Sequence, residues 1–170
     1  MKLETAFIAL GSNLDDPVAQ VQAGFTALAR LPGTRLVAQS SLYRSAAVGY
    51  RDQPDFVNAV AAIETVLAPC ALLEALLAIE RSHGRVRKFA NAPRTLDLDV
   101  LLYADLDLHE RGLTIPHPRL HERAFVLVPL AEIAPRCVMP GRGAIADLVR
   151  TIDNGSVTRL VTAAAHPEPG

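Results

Sequence analysis

Between Thr95 and Tyr103 the chain alternates with a period of two. Leu96, Leu98, Val100 and Leu102 fall on one side, and Asp97 and Asp99 on the other. Such alternation predicts a β-strand, because successive side chains of an extended chain leave on opposite faces. One face of that strand packs on an apolar core, while two carboxylates emerge side by side from the other. A fold built around this strand has to bury four side chains without burying two charges.

The neighbouring segments supply the core. Residues 5–10 form a short apolar run that ends at Gly11-Ser12-Asn13, which reads as a strand followed by a turn and cap. Asp15-Asp16-Pro17 opens a helix, with acidic capping residues and proline at the first helical position. Val18, Val21, Phe25 and Leu28 then recur at helical spacing until Leu31-Pro32-Gly33. Thr34 to Tyr43 and Phe56 to Leu67 read as strands separated by a loop. Pro69 starts a second helix with Leu72, Leu73, Leu76, Leu77 and Ile79 on its apolar face, closed by Gly84. The order β-α-β-β-α-β reads as a ferredoxin-like α+β core. Beyond it, one or two short strands are expected in 106–115 and helices in 123–133 and 144–151, completing three α-β-α layers.

The chain has 170 residues, enough for one domain with a real core. The expected domain is 1–162, and 163–170 reads as a frayed tail. Its net charge of −1 gives no basic field of the kind that draws nucleic acid. Nothing approaches the ~20 consecutive apolar residues that span a bilayer, and no targeting segment follows Met1. The expectation is a cytoplasmic protein without a nucleic-acid or membrane partner. Cys70 and Cys137 lack metal or redox spacing and are expected as reduced, buried apolar filler.

Asp97 and Asp99 on one strand face would hold their Cα atoms roughly 6.5–7 Å apart. Two such carboxylates repel unless a cation lies between them, and oxygen ligands of this kind suit Mg²⁺. Pairing of each with a nearby arginine is an equally simple reading of the spacing alone. Context shifts the balance: Gly84-Arg85-Val86-Arg87-Lys88 lies just upstream and Arg94 directly precedes the strand. Cations in that number beside two carboxylates suit a polyphosphate that arrives with its metal. By itself the basic loop could be a solvated surface. The chain has no Gly-x-x-x-x-Gly-Lys-Ser/Thr motif, so any nucleotide is held by side chains and metal. Further upstream, Phe56 and Asn58 share a strand face, where a ring can stack a flat heterocycle and an amide can read its edge. Core packing and turn capping explain the same two residues.

Taken together, these segments resemble the 6-hydroxymethyl-7,8-dihydropterin pyrophosphokinases. The matching stretches are Ala9-Leu10-Gly11-Ser12-Asn13, Asp52-Gln53-Pro54-Asp55-Phe56-Val57-Asn58-Ala59-Val60, Ile79-Glu80 with Gly84-Arg85-Val86-Arg87, Pro93-Arg94-Thr95-Leu96-Asp97-Leu98-Asp99, and 116–125 from Pro116-His117 to Ala124-Phe125. The resemblance implies transfer of pyrophosphate from ATP to a hydroxymethylpterin, with AMP released. It implies that Asp97 and Asp99 hold two Mg²⁺ ions, with Arg85 and Arg94 beside them at the reacting phosphates. His117 and Arg123 would also contact phosphate, and Arg87 and Lys88 would lie on a loop that closes over the nucleotide. Leu77, Glu80, Val100 and Thr114 would surround the nucleotide. Phe56 and Phe125 would sandwich the pterin, with Asn58 and the backbone near Ser45 and Val48 at its edge. The implied enzyme is a monomer. This chain departs from the family pattern at Asn91-Ala92, where Trp-Gly is usual, and at Ala46-Ala47, where prolines are usual. A catalytically silent relative would have no need of the paired aspartates, and an RNA-binding module on the same fold would need an aromatic strand motif that is absent.

Overall fold

The computed structural model describes residues 2–46, 53–84 and 95–160. Along the chain come β1 (Glu4–Ser12), α1 (Pro17–Ala29), β2 (Thr34–Gln39), β3 (Tyr43–Ser45), β4 (Phe56–Thr65), α2 (Pro69–Ser82) and β5 (Asp97–Tyr103). There follow β6 (Leu108–Glu110), β7 (Leu113–Ile115), a 3-10 turn at Leu120–Glu122, α3 (Ala124–Ile133), β8 (Val138–Met139), β9 (Gly143–Ala144), α4 (Ile145–Arg150) and β10 (Thr158–Arg159). It is a mixed α and β architecture around an antiparallel sheet. The strands of that sheet run β10-β3-β4-β1-β5, with β2 also paired to β4. Among the described residues no helix is long and apolar enough to cross a membrane.

Each element forms for a local reason. In α1, Asp16 takes a left-handed conformation that aspartate tolerates, and its side chain accepts from the Ala19 N–H at 3.4 Å. Pro17 follows at the first helical position. Helix α2 buries Leu72, Leu76 and Ile79, and Gly84 ends it at φ +74° by donating to the Arg81 carbonyl at 3.0 Å. The expected single strand over 34–43 is two strands. At the break, the Ser40 hydroxyl accepts from the Val60 N–H at 2.9 Å, a bond that a continuous ladder would give to backbone. Gly11 and Ser12 extend β1 rather than forming a turn. Asn13 reaches across to Gln53 Oε1 at 2.8 Å and the Pro54 carbonyl at 3.0 Å. Pro129 sits inside α3 and cannot donate to the Phe125 carbonyl one turn back.

The sheet separates two hydrophobic clusters. Ala6, Ile8, Leu10, Val57, Ala59, Leu98 and Val100 face α1 and α2, where they meet Val21, Phe25, Leu28, Leu72 and Leu76. Val60, Leu101 and Leu102 face the other way, toward Leu120, Val126, Leu127, Leu130 and Ile145. Leu102 therefore departs from the sequence expectation, which put it with Leu98 and Val100. The pairing of β1 with β5 shifts between Phe7 and Ile8, so that Phe7 faces Leu102 and Ile8 faces Val100. Leu101 is the extra residue of a β-bulge, and everything beyond it turns to the opposite face. The cysteines also differ from expectation. Cys70 is exposed on α2, off the stripe of Leu72, Leu76 and Ile79, and Cys137 is half-buried.

Gly33 makes the turn from α1 into β2 at φ +58°, and its carbonyl accepts from the Val66 N–H at 2.9 Å. A Cβ there would lie 2.2 Å from Val66 Cγ2. Gly33→Ala should cost about 1–3 kcal/mol, from the positive φ and the overlap together. Urea unfolding measures it; an unchanged midpoint would show that the turn has another conformation open to an L-residue.

Candidate active site

The site is laid out by strand register. Gly11 on β1 pairs with Asn58 on β4 and, on its other side, with Asp97 on β5. Ala9 pairs with Asp99 in the same way, and Tyr43 continues the first row beyond Asn58. Residues paired across antiparallel strands share a face, so Asn58, Gly11 and Asp97 form one line on the side opposite α1 and α2. At the middle of that line there is no side chain. A Cβ on Gly11 would come 3.4 Å from Asn58 Oδ1 and 3.8 Å from Phe56 Cδ1, so glycine leaves the floor flat between the amide and the carboxylate.

Over this floor lies a cavity of about 340 Å³ lined by Ser45, Phe56, Asn58, Asp97, Asp99, His117, Arg123 and Phe125. Phe125 is the second residue of α3 and Arg123 is that helix's N-cap, so one helix start carries both. The Arg123 guanidinium stands 5.6 Å from the centre of the Phe125 ring, within cation–π range. Asn58 is buried, and its Nδ2 donates to Ser45 Oγ at 2.7 Å. That bond sets the amide so that Oδ1 faces Gly11 and the cavity. Eight of the residues singled out from sequence thus meet at one cavity, although Phe56 and Phe125 come from distant segments.

Other expected residues lie elsewhere. Val48, Arg85, Arg87, Lys88 and Arg94 fall outside the described residues. Leu77, Glu80, Val100 and Thr114 are not on the cavity wall. Val100 belongs to the core facing α1 and α2, because β5 alternates and Asp99 takes the cavity side. Glu80 is buried, and its Oε2 accepts the Leu98 N–H at 2.7 Å, fixing α2 to β5 between the two aspartates. Thr114 is on β7, paired with His109 of β6.

The cavity also has walls the sequence did not announce. Arg119 and Glu122 line it, as do Asp153, Ser156 and Val157. The last three arrive because β10 pairs with β3, Thr158 opposite Arg44 and Arg159 opposite Tyr43. A two-residue strand carries no periodicity, so no local signal marks it.

Electrostatically, Asp97 and Asp99 share the cavity wall with His117 and Arg123. His117 donates its backbone N–H to the Leu101 carbonyl at 2.9 Å, and its Nδ1 accepts from the Arg119 N–H at 3.1 Å. A neutral ring with Nδ1 accepting carries its proton on Nε2, where it is a donor. Among the described residues no group of three or more His, Cys, Asp and Glu forms a ready-made metal site. Two carboxylates with room beside them suit a cation that takes its remaining ligands from substrate and water.

Comparison with known proteins gives this arrangement a context. The family model described as 7,8-dihydro-6-hydroxymethylpterin-pyrophosphokinase (HPPK) matches residues 7–135. A Haemophilus influenzae protein named 2-amino-4-hydroxy-6-hydroxymethyldihydropteridine pyrophosphokinase is 49% identical over 156 residues, which cover 92% of this chain and 98% of that protein. A Pseudomonas aeruginosa protein of the same name is 48% identical, covering 93% and 98%. Among solved structures, HPPK-DHPS in complex with substrates matches with a TM-score of 0.74 at 13% identity, covering 95% of this chain and 47% of that one. Plasmodium falciparum wild-type HPPK-DHPS with SDX-DHP matches with a TM-score of 0.70 at 14% identity, covering 88% and 44%. The chain thus spans about half the length of these solved chains or less, and at such identity they speak for the fold.

The His117 environment yields a pH prediction. Burial, then the charge of Arg123, push its pKa down from 6.5 to about 4; Asp97 acts in the opposite direction and Arg119 in the same one. The unfolded chain takes up this proton first as pH falls, so the group adds no pH dependence above about 6.5. Between about 6.5 and 4 it lowers stability progressively. Imidazole chemical shifts of the folded, unliganded protein should titrate with a midpoint near 4; a midpoint at the ordinary histidine value would refute the neutral ring.

Proposed function

The chain belongs to the 7,8-dihydro-6-hydroxymethylpterin-pyrophosphokinase family, and we infer that its cavity is where pyrophosphate passes from ATP to 6-hydroxymethyl-7,8-dihydropterin. The products are AMP and the pterin diphosphate, in the biosynthesis of tetrahydrofolate. The observation that carries this reading is the meeting of two aromatic rings and a buried amide with two carboxylates, a histidine and an arginine in one cavity.

The pterin end comprises Phe56, Phe125, Asn58 and Ser45, with Val48 completing it from outside the described residues. The two rings take the faces of the flat bicycle, and Asn58 Oδ1, which lies beside Gly11 while Nδ2 donates to Ser45, accepts from a donor on its edge. The hydroxymethyl group then points along the Gly11 floor toward Asp97. At the nucleotide end, His117 Nε2–H and Arg123 contact phosphate, joined by Arg85, Arg87, Lys88 and Arg94. The family resemblance would also put Leu77, Glu80, Val100 and Thr114 around the nucleotide, although Glu80 and Val100 are buried where α2 meets β5.

Asp97 and Asp99 fit Mg²⁺, since a hard cation with few protein carboxylates completes its shell from the polyphosphate, and we assign them two ions, the number the family resemblance implies. Magnesium bound there supplies charge neutralisation to the triphosphate. The hydroxymethyl oxygen attacks the β-phosphorus and AMP leaves. The chain's own contribution is to hold the two substrates in line and to donate hydrogen bonds where negative charge gathers; such transfer asks for positioning more than for a strong base. We further read the strand order β3-β4-β1-β5, with α1 and α2 on one face, as a ferredoxin-like core. Residues 1–162 would form one monomeric, cytoplasmic domain.

Asp97→Ala and Asp99→Ala should each abolish AMP release from ATP in the presence of Mg²⁺ and the hydroxymethylpterin, while the protein stays folded. Turnover within about tenfold of the parent, a barrier change of only about 1.4 kcal/mol, would exclude the metal assignment. Phe56→Ala and Phe125→Ala should each weaken pterin binding by about 1–3 kcal/mol, by analogy with base–aromatic stacking, and leave ATP binding in place. The chain has no tryptophan, so the fluorescence of a pterin analogue reports binding directly. Undiminished binding in both variants would assign the rings to the core instead.

A further inference from the structure

We propose that Glu132, on α3 and outside the cavity, is a positioning residue for the pterin half of the site; this rests on the reading of the cavity given above. Its carboxylate gathers donors from a part of the chain about ninety positions earlier. Oε1 accepts the Tyr43 hydroxyl at 2.6 Å and the Ser41 N–H at 3.0 Å, and Oε2 accepts the Ser41 hydroxyl at 2.8 Å and shares the Ser41 N–H at 3.2 Å. The positive charge of Arg159 on β10 acts on the same group. Burial raises its pKa, but the bonds from Tyr43 and Ser41 and the charge of Arg159 outweigh this and leave it lowered, as a carboxylate engaged in its ionised form should be.

The two bodies joined by this carboxylate are the two walls of the pterin pocket. Seven positions before Glu132, about two turns along α3, is Phe125. Tyr43 is the register partner of Asn58, and Ser45, two residues on along β3, accepts the Asn58 amide. Tyr43 also pairs with Arg159, so the same corner holds β10, which delivers Ser156 and Val157 to the cavity wall. Helix α3 is held on the sheet by Val126, Leu127 and Leu130 without help from Glu132. Strand β3 has only three residues and β10 only two. What Glu132 adds is therefore the placement of β3 against α3, which is the gap between Phe125 and the Ser45–Asn58 pair.

Because Glu132 is itself exposed, its substitution leaves the core intact. Glutamine keeps the volume but offers one acceptor oxygen where donors engage both, and turns its amide N–H groups toward donors. Tyr43→Phe removes a single oxygen from the same node and tests the same bond independently. In steady-state assays of the full chain, Glu132→Gln and Tyr43→Phe should each raise the pterin KM about five- to tenfold, the loss expected for a charge-assisted hydrogen bond. The KM for ATP and kcat at saturating pterin should stay within about twofold, the pattern of a lost binding contribution. The double variant should be no worse than the more affected single, since both cut one interaction. An unchanged pterin KM in both variants overturns the positioning role. So does an equal loss of pterin, ATP and kcat, which is what general loosening produces. A parent protein that fails to bind a fluorescent pterin analogue overturns the reading of the cavity and this role with it. A parent that binds it as well as, and no better than, both variants overturns the role alone.

Discussion

The site depends on the register of β1 between β4 and β5. That register puts Asn58 and Asp97 on either side of Gly11 and leaves a flat strip between an amide and a carboxylate. A slip of β1 by one residue would turn its side chains over, taking Ala6, Ile8 and Leu10 off the α1 and α2 side and breaking the row that joins Asn58 to Asp97 through Gly11. What opposes it is burial: Ala6, Ile8 and Leu10 are each buried on the α1 and α2 side, and a one-residue slip removes all three from it. The hydrophobic effect thus acts on the polar geometry, because the burial of these side chains decides which face of β1 meets the helices.

The opposite face of the sheet is divided in its use. Over Leu101, Leu102 and Val60 it is covered by α3 and α4, and toward Gly11 it opens into the cavity. The bulge at Leu101 is where β5 changes from one role to the other. Before it the strand shows carboxylates to the cavity; after it the same face receives leucine. Binding surface and core therefore share a strand without a charged group entering the apolar layer.

Much of this was legible from the chain because the signals are local. The alternation of Leu and Asp gives β5, the 3.6-residue stripes give α1 and α2, and Gly84 marks the end of α2 by its need for positive φ. Features set by a distant partner were not legible. The placement of Leu102 depends on how β1 pairs with β5, the split between β2 and β3 on the Ser40 hydroxyl meeting Val60, and β10 on Tyr43 and Arg44. The candidate site divides along the same line. Asp97 and Asp99 can be read from spacing, and Phe56 with Asn58 from alternation, whereas the pairing of Phe56 with Phe125 came from family resemblance. Glu132 gives no sign in its own segment, since its partners are Ser41 and Tyr43.

Strand β5 lies at one edge of the described sheet, and two of its backbone groups are engaged away from β1. The Leu98 N–H goes to Glu80 and the Leu101 carbonyl to the His117 N–H. An uncovered edge strand is a template on which another chain can add a strand, and aggregation begins at such edges. Here two of the groups an added strand would need, the Leu98 N–H between the aspartates and the Leu101 carbonyl, already have partners. The carboxylate that anchors α2 thereby also opposes, in a chain crowded among copies of itself, the growth of a shared sheet.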